Sequence, residues 1–407
     1  MSIVRSNLAI LTLLLGCRQL DPAFCASHPD DVDCAPRTAI DAGMCDDNEQ
    51  CTYTTPVCDI HRSMCVSCTA DAECASQTCL PDGACAVPLD VLYVAPDGSD
   101  TATCMPGDHC SLVRALALID GTKSTIRLDP ARYSLAGTLT LPDDLHLVGR
   151  GAVIDRSAAS SSGGVLDLAA GTSISLDYVT VQGGDGSAGF GIRCITAAAT
   201  LREVTIRGNA GPGIVGSGCA LAISHAEISG NGGIGVSATD GRLALARSRV
   251  MRNRGGGVAV TRASYDLEND IIAGNGDAAS LFGGVLITQI SAAADDVFAF
   301  NTVARNLAAQ GMAGGVLCGV VAAPLAFSSS IVIDNAGLQV DGGNCTWAYS
   351  DLSIDPLFVD PAHDNFHLQI ASPVRDAADP AATLAVDIDG DARPQGPARD
   401  MGADEIR

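Results

Sequence analysis

Six asparagines constrain this chain more than any other feature. Asn209, Asn231, Asn253 and Asn275 follow one another at intervals of 22 residues, and Asn306 and Asn335 continue the series after longer intervals. The first three stand in similar text, RGNAGPGI from Arg207, SGNGGIGV from Ser229 and MRNRGGGV from Met251. Three residues before each asparagine is an aliphatic: Ile206, Ile228, Val250, Ile272, Val303 and Val332. Five residues after it come Ile214, Val236, Val258 and Val340, and the two longer intervals recover the same residue as Val285 and Val316. A third apolar column holds Leu221 and Ile223, Leu243 and Leu245, Tyr265 and Leu267, Phe298 and Phe300, then Leu325 and Phe327.

Each repeat therefore supplies three short strands and no helical period. A unit this small cannot bury its apolar face alone, so copies must stack on one another. Parallel ladders then superpose like residues about 4.8 Å apart. The spacing predicts an all-β solenoid with coils of about 22 residues. The asparagines are expected at a corner in the left-handed backbone region, their amides bonded to their copies above and below. The glycines that follow supply further positive-φ positions.

Composition agrees with many short strands and tight turns: 47% of the 407 residues are hydrophobic, aromatics are only 4%, and there are 44 glycines. A formal charge of -23, with Lys123 the one lysine, argues against nucleic-acid binding, which depends on cations neutralising phosphates. A polyanionic ligand is repelled unless a cation bridges it.

Seventeen cysteines point to an oxidising, extracytoplasmic compartment. Their placement also tests the wrapping. Cys194 lies two residues after Ile192 and Cys219 five after Ile214, while Cys318 lies two after Val316 and Cys345 five after Val340. Equal offsets on neighbouring coils predict two inter-coil disulfides. Cys104 and Cys110 close a small loop, and Ser111 is placed to N-cap a short apolar helix through Ile119 that covers the open end of the solenoid.

Ten more cysteines fall between Cys25 and Cys85, in a stretch with too few aliphatics to build a core. Crosslinks must hold it, with five disulfides the default, and CVSC at Cys65 to Cys68 is read as half-cystines rather than a zinc site. The segment resembles the cysteine-rich modules near the N-terminus of many bacterial surface proteins, which serve as spacers or binding knobs. The opening MSIVRSNLAILTLLLGC has Arg5, an apolar run from Leu8 to Leu15 too short to span a bilayer, and Gly16 before Cys17. LLGC resembles the lipobox of bacterial lipoproteins, which implies a lipid on Cys17 and an anchor in the bacterial outer membrane; an ordinary secretory signal is the rival reading. Removing Cys17 leaves an even number of cysteines. The expected organisation is signal and lipobox over 1–17, a disulfide module over 18–87, a cap with the first strands over 88–144, coils over 145–350 and a C-terminal cap over 351–407.

The coils from about Leu145 to Tyr349 resemble the right-handed parallel β-helix of the pectate-lyase-like superfamily, and right-handedness is what that resemblance implies. YVAPDGSD from Tyr93, DPLFVDPAHDNFHLQIASPVRDAADP from Asp355 and DIDGDARPQGPARDMGADE from Asp387 resemble a group of bacterial surface β-helix proteins with this type of tail. Enzymes of the superfamily act on polysaccharides, on the outside of one parallel sheet or in the groove beside it.

If residues three and five before each asparagine point inward, those six and four before it point outward. The outward columns read Glu203, His225, Arg247, Asn269 and Thr205, Glu227, Arg249, Ile271. Glu203, His225, Glu227, Arg247 and Arg249 are therefore the candidate catalytic residues: Glu and His as acid and base, Arg to hold a sugar carboxylate. The bland reading, which is preferred, is a solvated ladder of alternating charge.

Other candidates are weaker. Asp387, Asp389 and Asp391 in DIDGD superficially resemble a calcium loop but lack the ligand Glu and helical flanks, so a structural turn tied to Arg393 is preferred. His363 and His367 have zinc-like spacing, and Asp295 and Asp296 read as a polar loop. NTV at Asn301 to Val303 resembles the start of a polygalacturonase motif but lacks its aspartate, and RPQGPAR at Arg393 to Arg399 has a lyase-like look away from any coil-borne acids. No cofactor is expected, calcium being the one ion these aspartates leave open. The leading expectation is a surface lipoprotein displaying a rigid, non-catalytic β-helix that binds a polysaccharide or a surface protein; the alternative is a polysaccharide lyase or glycoside hydrolase.

Overall fold

The computed structural model describes residue 45 and residues 47–120, 122–159, 161–186, 188–288, 296–319 and 324–407. Cys17, the signal segment, Cys25, Cys34 and Asp295 lie outside the described residues. The chain divides into a small unit ending at Val66 and a large one that takes in 53–55 and everything from Ser67 onward. In the small unit, strands Val57–Asp59 and Met64–Val66 pair antiparallel, and disulfides Cys45–Cys58 and Cys51–Cys65 replace a core. Two more, Cys68–Cys79 and Cys74–Cys85, belong to the large unit.

The large unit is a stack of coils whose strands form three parallel sheets, in coil order of nine, eleven and nine strands. One coil runs Ile192–Ile195 in the first sheet, Ala198–Arg202 in the second and Thr205–Arg207 in the third; the next repeats it as Ile214–Ser217, Ala220–Ser224 and Glu227–Ser229. The register superposes Ile192 on Ile214, Leu201 on Ile223 and Ile206 on Ile228, so the apolar columns become one continuous core. Each fully buried aliphatic contributes roughly 1.5–3 kcal/mol. Disulfides Cys194–Cys219, Cys318–Cys345 and Cys104–Cys110 are all present.

The stack begins earlier than Leu145: Val91–Ser99 already pairs parallel with Thr125–Leu128, which pairs with Leu145–Val148. The predicted helix forms, with Ser111 Oγ accepting from Arg114 N at 3.1 Å, but it ends at Leu116 rather than Ile119. The register also moves one aromatic. Phe298 lies opposite Leu267, so Phe300 falls beyond the strand, at a corner.

The asparagine column is a buried ladder. Asn231 Nδ2 donates to Asn253 Oδ1 at 2.8 Å and to Ile206 O at 3.0 Å, and Asn209, Asn253, Asn275 and Asn306 repeat the side-chain link to the next asparagine. The backbone expectation is corrected: the left-handed residue is the one before each asparagine, at Gly208, Gly230, Arg252, Gly274, Arg305 and Asp334. With its neighbour turning the corner, the asparagine keeps its amide pointed inward. A second internal ladder runs one corner away: Ser248 Oγ accepts from Ala226 N, Asp270 Oδ1 from Ser248 N, Asn301 Oδ1 from Asp270 N, and Ser330 Oγ from Asn301 N, at 2.9 to 3.1 Å.

After the coils the chain turns back on itself. Strands Phe358–Asp360 and Asn365–Leu368 form an antiparallel hairpin, and Phe358, Phe366, Leu368, Val374, Ile388, Ala403 and Ile406 pack on the outer face of the third sheet. The sheet supplies Met251, Ile271, Ala273, Ala304, Ile331 and Ile333 to this second core.

Candidate functional site

The chain turns from the second sheet to the third through a single left-handed residue per coil. Over six successive coils that column reads Tyr178, Glu203, His225, Arg247, Asn269 and Phe300. The expectation that both candidate columns share one sheet face is therefore corrected: Glu203, His225 and Arg247 occupy a corner, whereas Glu227 and Arg249 project from the third sheet. An L-residue pays for left-handed φ, so polar and aromatic residues persist there only because the stacked coils over-determine the turn.

The column divides into three stretches. At one end Asn269 and Phe300 are sealed by the returning tail. Arg393, its guanidinium fully buried, donates to Asn269 Oδ1 at 3.3 Å, to Glu405 Oε2 at 3.1 Å and to the carbonyls of Asp400 and Gly402. Its guanidinium also lies 4.8 Å from the centre of the Phe300 ring. Asn269 Nδ2 in turn donates to Val386 O at 2.7 Å.

In the middle are His225 and Arg247. Burial, reinforced by the Arg247 cation and opposed by Glu203, holds the His225 imidazole below its ordinary pKa. No carboxylate lies within ion-pair distance of it among the described residues. The other three candidates are engaged elsewhere or exposed: Arg249 reaches Asp389 Oδ1 at 3.2 Å, Glu227 accepts from Ser229 Oγ at 2.8 Å, and Glu203 faces solvent.

At the other end, Glu203 and Tyr178 open onto a groove of about 470 Å³ whose far wall is the crosslinked loop from Ser67 to Gly83. Arg150 lies across the Tyr178 ring, 3.4 Å from its centre, with Asp71 Oδ1 at 3.5 Å. Beside it Arg202 grips the buried Asp177 through two bonds of 2.9 and 3.1 Å, and His146 contacts the same carboxylate. Asp82 completes the rim. The groove thus offers a half-shielded aromatic, the guanidinium of Arg150 laid on it, and two carboxylates. Sequence pattern alone singled out Glu203 but not Arg150, Tyr178 or the loop, because their meeting depends on where the crosslinked segment packs.

The remaining candidates resolve into structure. Asp387 Oδ1 accepts from the amides of Asp389 and Asp391 at 2.9 and 2.8 Å, and Asp387 Oδ2 from that of Glu405 at 3.0 Å; Asp391 pairs with Arg407. DIDGD is thus a turn, although Arg393 is tied to Glu405 rather than to it. His363 pairs with Asp360 at 2.8 Å and His367 with Asp389 at 2.7 Å, so the two histidines do not converge. Asp296 accepts from Tyr265 N, Thr302 Oγ1 from Ala403 N, and Arg399 donates to Leu384 O. No helix among the described residues is long and apolar enough to cross a membrane.

Comparison with known proteins agrees with this geometry. Residues 160–352 match the family model described as the right handed beta helix region. Among solved structures, the crystal structure of pectate lyase Pel9A is similar with a TM-score of 0.51 and 15% identity, over 78% of this chain and 96% of that one. No curated protein matches the sequence. At this identity the likeness speaks to the fold alone, and the fold is a right-handed parallel β-helix similar to that of pectate lyase Pel9A.

Proposed function

We propose that this chain is a surface lipoprotein, anchored through Cys17, whose β-helix binds a neutral oligosaccharide in the groove beside Glu203 without cleaving it. The observation that carries this reading is the groove itself, in which Arg150 holds the Tyr178 ring and Glu203 and Asp82 flank it. Its volume falls in the range of roughly 300–1,000 Å³ that small ligands occupy. Arg150, set against Asp71, and Asp82, which accepts from Ala84 N, present their remaining N–H groups and lone pairs in fixed directions, and Glu203 adds a free carboxylate, which together suit sugar hydroxyls. A neutral ligand is preferred to a polyuronate because the chain carries a charge of -23. Crosslinks throughout the cysteine-rich stretch fit an oxidising exterior, and a rigid, stacked coil is a natural support for a displayed site.

A glycan array probed with the purified chain tests this. Binding to neutral oligosaccharides that is lost in Tyr178→Ala is expected; an array without signal, or signal unchanged by that substitution, removes the groove from consideration.

A further inference from the structure

Three segments of the tail meet at His367. It sits in strand Asn365–Leu368 with its side chain outward, Asp389 comes from the DIDGD turn, and Asp404 from the last residues of the chain. One ligand atom from each, His367 Nε2 and a carboxylate oxygen of Asp389 and of Asp404, lie within 4.8 Å of one another.

The imidazole is oriented by Asn365. Asn365 Oδ1 accepts from the backbone N of His367 at 3.2 Å, which fixes that atom as the oxygen, and the same oxygen lies 2.7 Å from His367 Nδ1. Nδ1 therefore carries a proton and Nε2 faces the two carboxylates, the arrangement by which an outer partner prepares a histidine for a metal. Nε2 is 2.7 Å from Asp389 Oδ2 and 3.9 Å from Asp404 Oδ1.

Asp404 supplies an independent observation. It is 7% exposed, and while its Oδ2 accepts from Leu368 N at 2.7 Å, its Oδ1 meets no hydrogen-bond donor among the described residues and points toward Nε2. A carboxylate oxygen that the protein gives no donor, on a side chain 10% exposed and beside the carboxylate of Asp389, favours a cation. Asp387 braces both sides, since its carboxylate accepts from the amides of Asp389 and Glu405. Arg249 takes only Oδ1 of Asp389 and leaves Oδ2 facing the imidazole.

We propose that His367, Asp389 and Asp404 bind a divalent transition metal, zinc by preference, that fastens the tail's hairpin, turn and C-terminal segment together. One imidazole nitrogen and two carboxylate oxygens suit zinc better than calcium, which takes oxygen ligands and more of them. The site is remote from the Glu203 groove in sequence and independent of what that groove binds.

The test uses the full chain stripped with chelator and titrated with zinc chloride, read by calorimetry and by metal content after dialysis. One zinc per chain is expected, with a higher thermal midpoint in its presence. His367→Ala and Asp404→Asn should abolish binding, while His363→Ala should retain it. Because the first two variants also remove contacts within the tail, Asn365→Ala, which leaves all three ligands in place, gives a second reading: a loss of roughly 10–100-fold in zinc affinity. Zinc that binds His367→Ala as tightly as the native chain, calcium that binds where zinc does not, or the absence of stoichiometric zinc would overturn the assignment and leave a plain His367–Asp389 ion pair.

Discussion

Arg393 donates to Oδ1 of Asn269 at 3.3 Å, across 124 residues of chain. Asn269 lies in the column that sequence pattern marked for chemistry, yet here it is an anchor for the returning tail. Removing the guanidinium in Arg393→Ala strands the buried Glu405 and uncovers Phe300, at a cost of about 3–5 kcal/mol. Limited proteolysis should then release the segment beyond residue 350 while the coils keep their β circular dichroism signal. Unchanged resistance would mean that the tail is held by its apolar face alone.

The asparagine ladder carries a similar load inside the coils. Asn253 accepts from Asn231 N and Nδ2, and donates to Ile228 O and Asn275 Oδ1. In Asn253→Ala these buried partners lose their bonds, each at about 1–3 kcal/mol. Denaturant unfolding should show a loss of at least about 3 kcal/mol, far more than Arg254→Ala, whose exposed ion pair with Asp277 is worth little.

Asp270 occupies a ladder position that asparagine fills one coil later, as Asn301. Its Oδ2 is buried without a partner, and burial, aided by Asp266 and Glu268, holds the carboxyl well above its ordinary range. The folded state therefore binds a proton that the unfolded chain has released above about pH 4, so this residue's contribution to stability declines as the pH rises beyond that point. Asp270→Asn should be more stable than the native chain by about 1–3 kcal/mol at pH 7, with the gap closing toward pH 4. Equal thermal midpoints at both pH values would contradict this.

His225 titrates in the opposite sense. Its folded pKa lies below the unfolded value of about 6.5, so stability is lost as the pH falls through that value toward the folded one. In an NMR titration Arg247→Ala should raise the His225 pKa and Glu203→Gln should lower it, because the first removes an opposing cation and the second a favourable anion. A midpoint that moves with neither would separate the three side chains.

The solenoid was legible because its signal is repetitive: each coil restates the aliphatic at Ile206, Ile228 and Val250, and the cysteine offsets repeat with it. The second ladder was not, since Ser248, Asp270, Asn301 and Ser330 share a role without sharing a letter. The tail's docking left a trace that was available: the outward column changes from Thr205, Glu227 and Arg249 to Ile271, Thr302 and Ile331, a stretch without charge and with two outward-facing isoleucines to cover. The groove left none, because Arg150, Tyr178 and the loop before Gly83 come together only through tertiary packing. The left-handed corner explains why the candidate acid and base do not pair. It places Glu203 and His225 one coil apart on a turn, while Glu227 and Arg249 leave from the adjoining sheet.

The central claim is that the groove beside Glu203 holds a neutral glycan and leaves it intact. It is tested most directly by calorimetry with the strongest neutral oligosaccharide found on an array, comparing the native chain with Glu203→Gln, alongside a reducing-end assay on the same mixtures. Saturable binding weakened at least about tenfold by the substitution, equivalent to about 1.4 kcal/mol, with no new reducing ends, is the predicted result. Reducing ends that accumulate with the native chain and vanish in Glu203→Gln would contradict it and make the corner column a catalytic one.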